Sequence, residues 1–377
     1  MVNLARAYNT QSQYTHFMPT RLWSGADLFS RLWKDLAPGP TLLVADAHFN
    51  GDPRMNPYSD LRTIWVNGEP AVRQVQSLCG SIGSEALQTI LAVGGGSTID
   101  TAKAIRARIM FGDFDVKDAE APLGAPTLIA VPTLPGSGSE TSRFFVLSDP
   151  DTRAKRARRG WCYAPDLAVL DPDWLTGAPP RALLLGAFDA FCHLWETFIC
   201  KNERSPVTDM LAATGIANIA QAMRELLDTG TLSQKSCSAL QLASALGGYA
   251  ISNVRVGMIH ALGEPLSAYV TLAHPETLWV FYSHVRAHYD DVIQDRITLL
   301  NNALGGQALS QLDQLWARGF RELGVDARIR DALGASDVTA DALVNAAMRD
   351  TVLLKEHPKD ITWDGVHDLT ARALRAA

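Results

Sequence analysis

Residues 89–109 read TILAVGGGSTIDTAKAIRARI: an apolar, β-rich run, three consecutive glycines, then a stretch of helical character. Short Val/Ile/Leu-rich runs with glycine or polar residues at their carboxyl ends are the mark of buried parallel strands. Glycines at Gly94, Gly95 and Gly96 let backbone amides approach a phosphate closely, and the new helix offers its positive end. Ser97 and Asp100 have the spacing of a capping box, which predicts that this pair fixes the helix start.

The same pattern repeats on both sides. TLLVA (41–45) ends at Asp46, and LRTIWV (61–66) ends at the turn Asn67-Gly68. PTLIAVPT (126–133) and DLAVLD (166–171) follow the glycine loop. The alternation predicts an open α/β sheet with ligands at the carboxyl ends of its strands. A second loop, Thr133 to Thr141, holds Gly136, Gly138 and the hydroxyls of Thr133, Ser137, Ser139 and Thr141. Two such loops at neighbouring strand ends predict a cofactor that carries phosphate. In the usual dinucleotide fingerprint the acidic ribose ligand follows the glycines by about 20 residues. Here the candidate, Asp46, precedes them. A carboxylate at that strand end can accept hydrogen bonds from the adenosine ribose and repel a 2′-phosphate, so NAD(H) is expected over NADP(H).

After Asp173 strand signals nearly vanish. Helical periodicity covers 180–200, 207–228, 235–254, 275–290, 308–323 and 339–355, and Pro179-Pro180 opens the first of these. The expected organisation is therefore an α/β dinucleotide-binding domain over 1–175, followed by an all-helical domain over 176–377.

Composition narrows the class. With 47% apolar and 20% charged residues the chain is an ordinary globular one, neither disordered nor fibrous. A net charge of −6 gives no basic surface for nucleic acid. The five cysteines form no CxxC pair and read as reduced thiols in a cytoplasmic protein. The polar start MVNLARAYNTQSQY is unlike a signal peptide, and ALLLGAFDAF is broken by Asp189, so no membrane span is expected.

Asp189 and His193 stand at i, i+4 on the helix predicted from Pro180, on one face. His260 and His274 flank ALGEPLSAYVTLA farther on. One carboxylate and three imidazoles suit Fe(II) or Zn(II) and are too nitrogen-rich for Mg or Ca. His284 and His288 share the i, i+4 spacing and on that ground are an equal candidate pair, whereas His16, His48, His357 and His367 read as ordinary structural or surface residues.

GGGSTIDTAKA, PTLPGSGSE, LDPDWLTGAPPRALLLGAFDAFCHLWE and IHALGEPLSAYVTLAH together resemble the iron-containing (group III) alcohol dehydrogenase family, in its order and spacing. HFMPTRLWSGADL (16–28) resembles the family's N-terminal strand and glycine turn, so the likeness extends to about residue 285. The resemblance implies a dehydroquinate-synthase-like fold, an NAD(P)-binding domain before a helical metal domain, and often a homodimer. It assigns the metal to Asp189, His193, His260 and His274 over His284 and His288. It places Gly95, Gly96, Ser97, Thr133, Ser137 and Lys155 at the cofactor, with Gly94 and Asp100 in the same loop.

Two positions depart from the family pattern. Gly68-Glu69-Pro70 stands where the family has Asn between two prolines, and Glu264 stands where a second His usually follows the third ligand by four residues. Both fall beside the nicotinamide site that the resemblance implies, and Glu69 is similar to the sugar-acid branch of the family. The expected activity is a metal-dependent NAD(P)(H) alcohol dehydrogenase or aldehyde reductase acting on a small, hydroxylated or sugar-acid-like substrate, with Glu264 as a catalytic candidate. The rivals are a dehydroquinate-synthase-type lyase that uses NAD without net turnover, and a metal-free maleylacetate-type reductase.

Overall fold

The chain in this computed structural model is described over residues 14–35, 39–82, 86–114, 121–149, 154–201, 203–306, 309–349 and 357–377. The N-terminal stretch 1–13, Arg153 and the end of the helix expected over 339–355 lie outside those residues.

One compact unit comprises Met18–Ala178 together with Ser233–Ser252. It contains β1 (Arg21–Ser24), α1 (Leu28–Asp35), β2 (Thr41–Asp46), β3 (Arg62–Val66), α2 (Val72–Ser81), β4 (Thr89–Gly94) and α3 (Gly96–Phe111), then β5 (Thr127–Pro132), β6 (Phe144–Asp149), β7 (Ala154–Arg159) and β8 (Leu167–Leu170). Six strands form a parallel sheet in the order β1-β8-β5-β4-β2-β3. Every residue of β4 is buried, as a central strand covered on both faces requires. Ala102, Ile105 and Ala107 of α3 pack into the same core as Leu42, Ile90 and Leu128 of the sheet. The strand order puts the ends of β2, β4 and β5 side by side, so Asp46, the glycine loop and Thr133 share one edge.

The antiparallel hairpin β6–β7 was not legible in the sequence, where 153–159 reads as a charge run. Phe145 and Leu147 bury one side of β6, and β7 pairs with it through its backbone, with Arg156 exposed and Arg158 buried.

The second unit comprises Met1–Phe17, Pro179–Leu232 and Asn253–Ala377. Its helices are α4 (Pro180–Ile199), α5 (Pro206–Thr229), α7 (Met258–Leu266), α8 (His274–Tyr289), α9 (Gln294–Ala303), α10 (Leu309–Glu322), α11 (Val325–Gly334), α12 (Ala340–Ala347) and α13 (Trp363–Ala376). The intervening helix α6 (Gln234–Asn253) lies, up to Ser252, in the compact unit that holds the sheet, although it falls in the helical part of the sequence. The reason is close packing: a Cβ on Gly248 of α6 would lie 2.1 Å from the carbonyl oxygen of Gly138, and one on Gly138 (φ +61°) would lie 2.4 Å from the Gly248 nitrogen.

By length and composition α4 could cross a membrane, contrary to the expectation from its Asp189. Within the protein 83% of its most apolar window is buried, the pattern of a core helix. On it, Phe188 meets the rings of Trp279, Tyr282, Trp316 and Phe320 at centroid distances of 5.0–5.5 Å.

Candidate metal centre and cofactor loops

Polar residues at i, i+4 and i+7 interrupt the apolar surface of α4: Asp189, His193 and Glu196, all buried. Two further helices bring imidazoles to this stripe. Gly263 lets α7 approach α8, since a Cβ there would lie 2.7 Å from Leu278 Cδ2. Glu276 fixes the start of α8 by accepting from the Ala273 amide at 2.7 Å and pairing with Arg181 and Arg328. Its position sets His274 in the first turn, followed by Pro275.

Oδ1 of Asp189 consequently lies 3.7 Å from Nε2 of His193, 3.9 Å from Nε2 of His260 and 3.7 Å from Nε2 of His274. The His193 and His260 rings stack with centroids 4.8 Å apart. Ligand atoms of Asp189, His193 and His260 all fall within 4.8 Å of one another. Asp189 and His260 are buried, whereas the His274 side chain is 31% exposed and forms the open side of the cluster.

The separations are too long for hydrogen bonds, and Asp189 Oδ1 and His260 Nε2 are buried without a hydrogen-bond partner. Buried polar atoms left so are rare and call for an explanation. An ion about 2.1 Å from two ligand atoms at a tetrahedral angle sets those atoms roughly 3.4 Å apart, so the cluster fits a divalent ion with little adjustment. Three nitrogens and one oxygen are the donor set of Fe(II) or Zn(II).

Electrostatics agree. Burial would raise the Asp189 carboxyl, but the imidazoles of His193, His260 and His274 outweigh it and hold it well below the usual carboxylate range. Burial would lower His260, yet the Glu196 and Asp189 carboxylates drive it up to about 10. A site this avid for protons is avid for another cation, which must displace them.

His284 and His288 lie farther along α8 and do not join the cluster; burial lowers both below the ordinary imidazole value. Glu264 sits one turn beyond His260 on α7, half-buried, and is not among the clustered ligand atoms.

In the sheet unit the two small-residue loops meet directly. Thr133 donates its amide to the Gly94 carbonyl at 3.1 Å, and a Cβ on Gly96 would lie 2.6 Å from Ser137 Oγ. Gly95 is the N-cap of α3, and a Cβ there would touch only Leu134 at 4.0 Å. Gly94 and Gly96 are thus demanded by packing, while Gly95 faces open space.

The expected capping box does not form. Gly95, in extended backbone, starts the helix before Ser97, and the Asp100 carboxylate turns to other donors. Its Oδ1 accepts from Ser139 Oγ at 2.5 Å and its Oδ2 from the Val146 amide at 2.9 Å, which ties the first loop to the second and to β6. Asp46 Oδ1 accepts from the His48 amide at 2.9 Å and caps a short 3-10 turn. Glu69 and Lys155 pair with each other, Oε1 to Nζ at 2.6 Å, because Ser148 of β6 donates to the Pro70 carbonyl and draws the 68–71 segment onto the hairpin.

Several supporting residues escaped sequence reading. Gln241 of α6 donates to the carbonyls of Pro132 and Asp171, both at 3.0 Å, and so joins the ends of β5 and β8. Ser244 accepts from the Gly136 amide and donates to buried Glu140. Lys103, fully buried, donates to the carbonyls of Ser142 and Phe144. Burial lowers Lys103 to about 8 and raises Glu140 to about 7. Glu196 was also missed, although its i+7 spacing from Asp189 was visible.

Comparison with known proteins places this geometry in a family. The chain is 29% identical over 318 residues to the probable alcohol dehydrogenase EutG of Salmonella typhimurium, covering 82% of this chain and 80% of that protein. It is 28% identical to the 4-hydroxybutyrate dehydrogenase of Clostridium kluyveri over 273 residues, 68% of this chain and 73% of that protein. Its fold superposes on the iron-containing alcohol dehydrogenase of Thermococcus thioreducens with a TM-score of 0.81 at 22% identity, over 96% of this chain and all of the other. Residues 19–172 match the iron-containing alcohol dehydrogenase family and residues 184–374 its C-terminal domain. The chain therefore belongs to the iron-containing alcohol dehydrogenase family, oxidoreductases that act on CH–OH groups.

Proposed function

We propose that the protein moves a hydride between a nicotinamide cofactor and a small alcohol or aldehyde, with a divalent ion held by Asp189, His193, His260 and His274. The observation that carries this reading is the convergence of three imidazole nitrogens on the buried, unpartnered Oδ1 of Asp189. When bound, the ion supplies Lewis acidity to the substrate oxygen and the nicotinamide supplies or accepts the hydride. Three neutral imidazoles and one carboxylate leave such a site with a net charge near +1, which favours developing negative charge on substrate. Because His274 is the exposed member, substrate is expected to enter on its side.

The pyrophosphate is assigned to the amides around Gly95, Gly96 and Ser97, with Thr133 and Ser137 contributing from the second loop. Gly94 serves by packing, and Asp100 acts at one remove by holding Ser139. Asp46 keeps the role of ribose acceptor, which favours NAD(H); its bond to His48 steadies the carboxylate. Glu69 and Lys155 act as a pair at the hairpin. Glu264, one turn from His260, is assigned to substrate hydroxyls, which points to a hydroxylated or sugar-acid-like substrate. A homodimer in the cytoplasm accords with the family resemblance, and all five cysteines are free thiols as a reducing compartment requires.

The test is a panel of simple alcohols, diols, sugar acids and their aldehydes, given to metal-reconstituted protein and read by NAD(P)H absorbance. Turnover with at least one CH–OH substrate, lost on chelation, is expected. Cofactor reduced only transiently, or turnover untouched by chelation, would favour the lyase or the metal-free reductase instead.

A further inference from the structure

Glu196 completes the polar stripe of α4, yet its carboxylate does not face the ligand cluster. Oε2 lies 2.5 Å from Nδ1 of His260, on the far side of the ring from Nε2, and Oε1 accepts from the Ile259 amide at 2.6 Å. The side chain is 2% exposed. Gly257, just before α7, makes room for it, since a Cβ there would lie 2.9 Å from Glu196 Oε1. One helix thus carries Asp189 and His193 and also grips the back of a third candidate ligand.

A neutral imidazole has two tautomers, and only the one protonated at Nδ1 leaves a lone pair on Nε2. A buried carboxylate is a strong acceptor for that proton, because an ionised acceptor in a low-dielectric interior makes a stronger hydrogen bond than a neutral one. We propose that Glu196 is the positioning residue of the metal centre: by accepting from His260 Nδ1 it selects this tautomer and fixes the ring plane, so that the Nε2 lone pair is turned to the same point as Asp189 Oδ1, where one cation can take both. The proposal rests on the ligand assignment above and extends it to a residue that does not touch the ion.

The geometry also explains why the residue is an acid. The Ile259 amide donates to Oε1 and His260 Nδ1–H to Oε2, with the Gly257 amide also bonded to the carboxylate. Glutamine has one oxygen and one NH2 group. Whichever way its amide turned, it would either leave the Ile259 N–H unpaired or present an N–H to Nδ1. The second arrangement selects the tautomer protonated at Nε2, which leaves no lone pair on that nitrogen for a metal.

The test is spectroscopic titration of the metal-free, full-length protein with Co(II) against a competing chelator, for wild type, Glu196→Gln, Gly257→Ala and His260→Ala. Circular dichroism checks that each is folded. Glu196→Gln is expected to weaken Co(II) binding at least about tenfold and to change the ligand-field spectrum, as loss of an outer partner of a metal-bound imidazole does. Gly257→Ala, which keeps every ligand and the carboxylate but crowds Oε1, should weaken binding by less and in the same direction. It carries the test if Glu196→Gln fails to fold. Wild-type affinity and spectrum in the folded Glu196 and Gly257 variants, with binding lost in His260→Ala, would overturn the positioning role alone. Undiminished binding in His260→Ala would overturn the ligand assignment and the positioning role with it.

Discussion

Oδ1 of Asp189 and Nε2 of His274 stand 3.7 Å apart, one from the middle of α4 and the other from the first turn of α8. Elements remote in sequence rarely aim a carboxylate and an imidazole at one point without forming a hydrogen bond. If they share an ion, replacing His260 or His274 with Ala should remove most bound Fe or Zn and nearly all turnover, while circular dichroism stays near native. His284→Ala should do neither. Metal analysis of the three purified variants checks this, and loss of metal from the His284 variant alone would reverse the assignment.

Asp46 closes β2 beside the glycine loop. Its charge should disfavour a 2′-phosphate, so wild type is expected to prefer NAD(H), and Asp46→Gly should improve NADP(H) use. Asp46→Ser retains an oxygen for the His48 amide and should shift preference in the same direction. Steady-state comparison of both cofactors reads the effect. A strong wild-type preference for NADPH would refute the role.

Glu264→Gln is expected to lower kcat/KM by at least roughly tenfold, about 1.4 kcal/mol, with metal content retained. The loss should be larger for hydroxylated substrates than for simple alcohols, since a carboxylate accepts from a substrate hydroxyl better than an amide does. Kinetics unchanged from wild type for both substrate types would assign the residue to the scaffold.

Burial raises the Glu140 carboxyl from an ordinary 4.5 to about 7. Between those values the folded protein holds more protons than the unfolded chain, so stability falls as pH rises through that window. Glu140→Gln cannot ionise and should escape the loss. Relative to this variant, wild type is therefore expected to become progressively less stable from pH 5 to pH 7 in thermal melts. A difference independent of pH would show that Glu140 is already ionised at the lower end.

Much of this was readable beforehand because parallel strands buried on both faces are written as plain apolar runs. The segments at 41–45, 61–66, 89–95, 126–133 and 166–171 each contain or overlap a strand. The hairpin was hidden because β7 is an edge ribbon whose Lys155, Arg156, Arg158 and Arg159 obscure its alternation. The short helices α9 and α11 were hidden because each spans only two or three turns, too few for a period to emerge. The attachment of α6 to the sheet depends on Gly138 meeting Gly248, a contact between distant residues with no local signature. At the candidate centre, spacing could not separate His260 and His274 from His284 and His288, since the difference lies in how α7 and α8 approach α4. Glu196 was overlooked because spacing alone gives an acid on a buried helix no partner, and only the placement of its oxygens at His260 Nδ1 and the Ile259 amide supplies one.

Anomalous diffraction at the Fe or Zn edge, from crystals of metal-reconstituted protein, bears most directly on the central claim. The predicted result is one peak about 2.0–2.2 Å from Asp189 Oδ1 and from Nε2 of His193, His260 and His274. A peak held by other residues, or none in protein whose turnover is abolished by chelation, would contradict it.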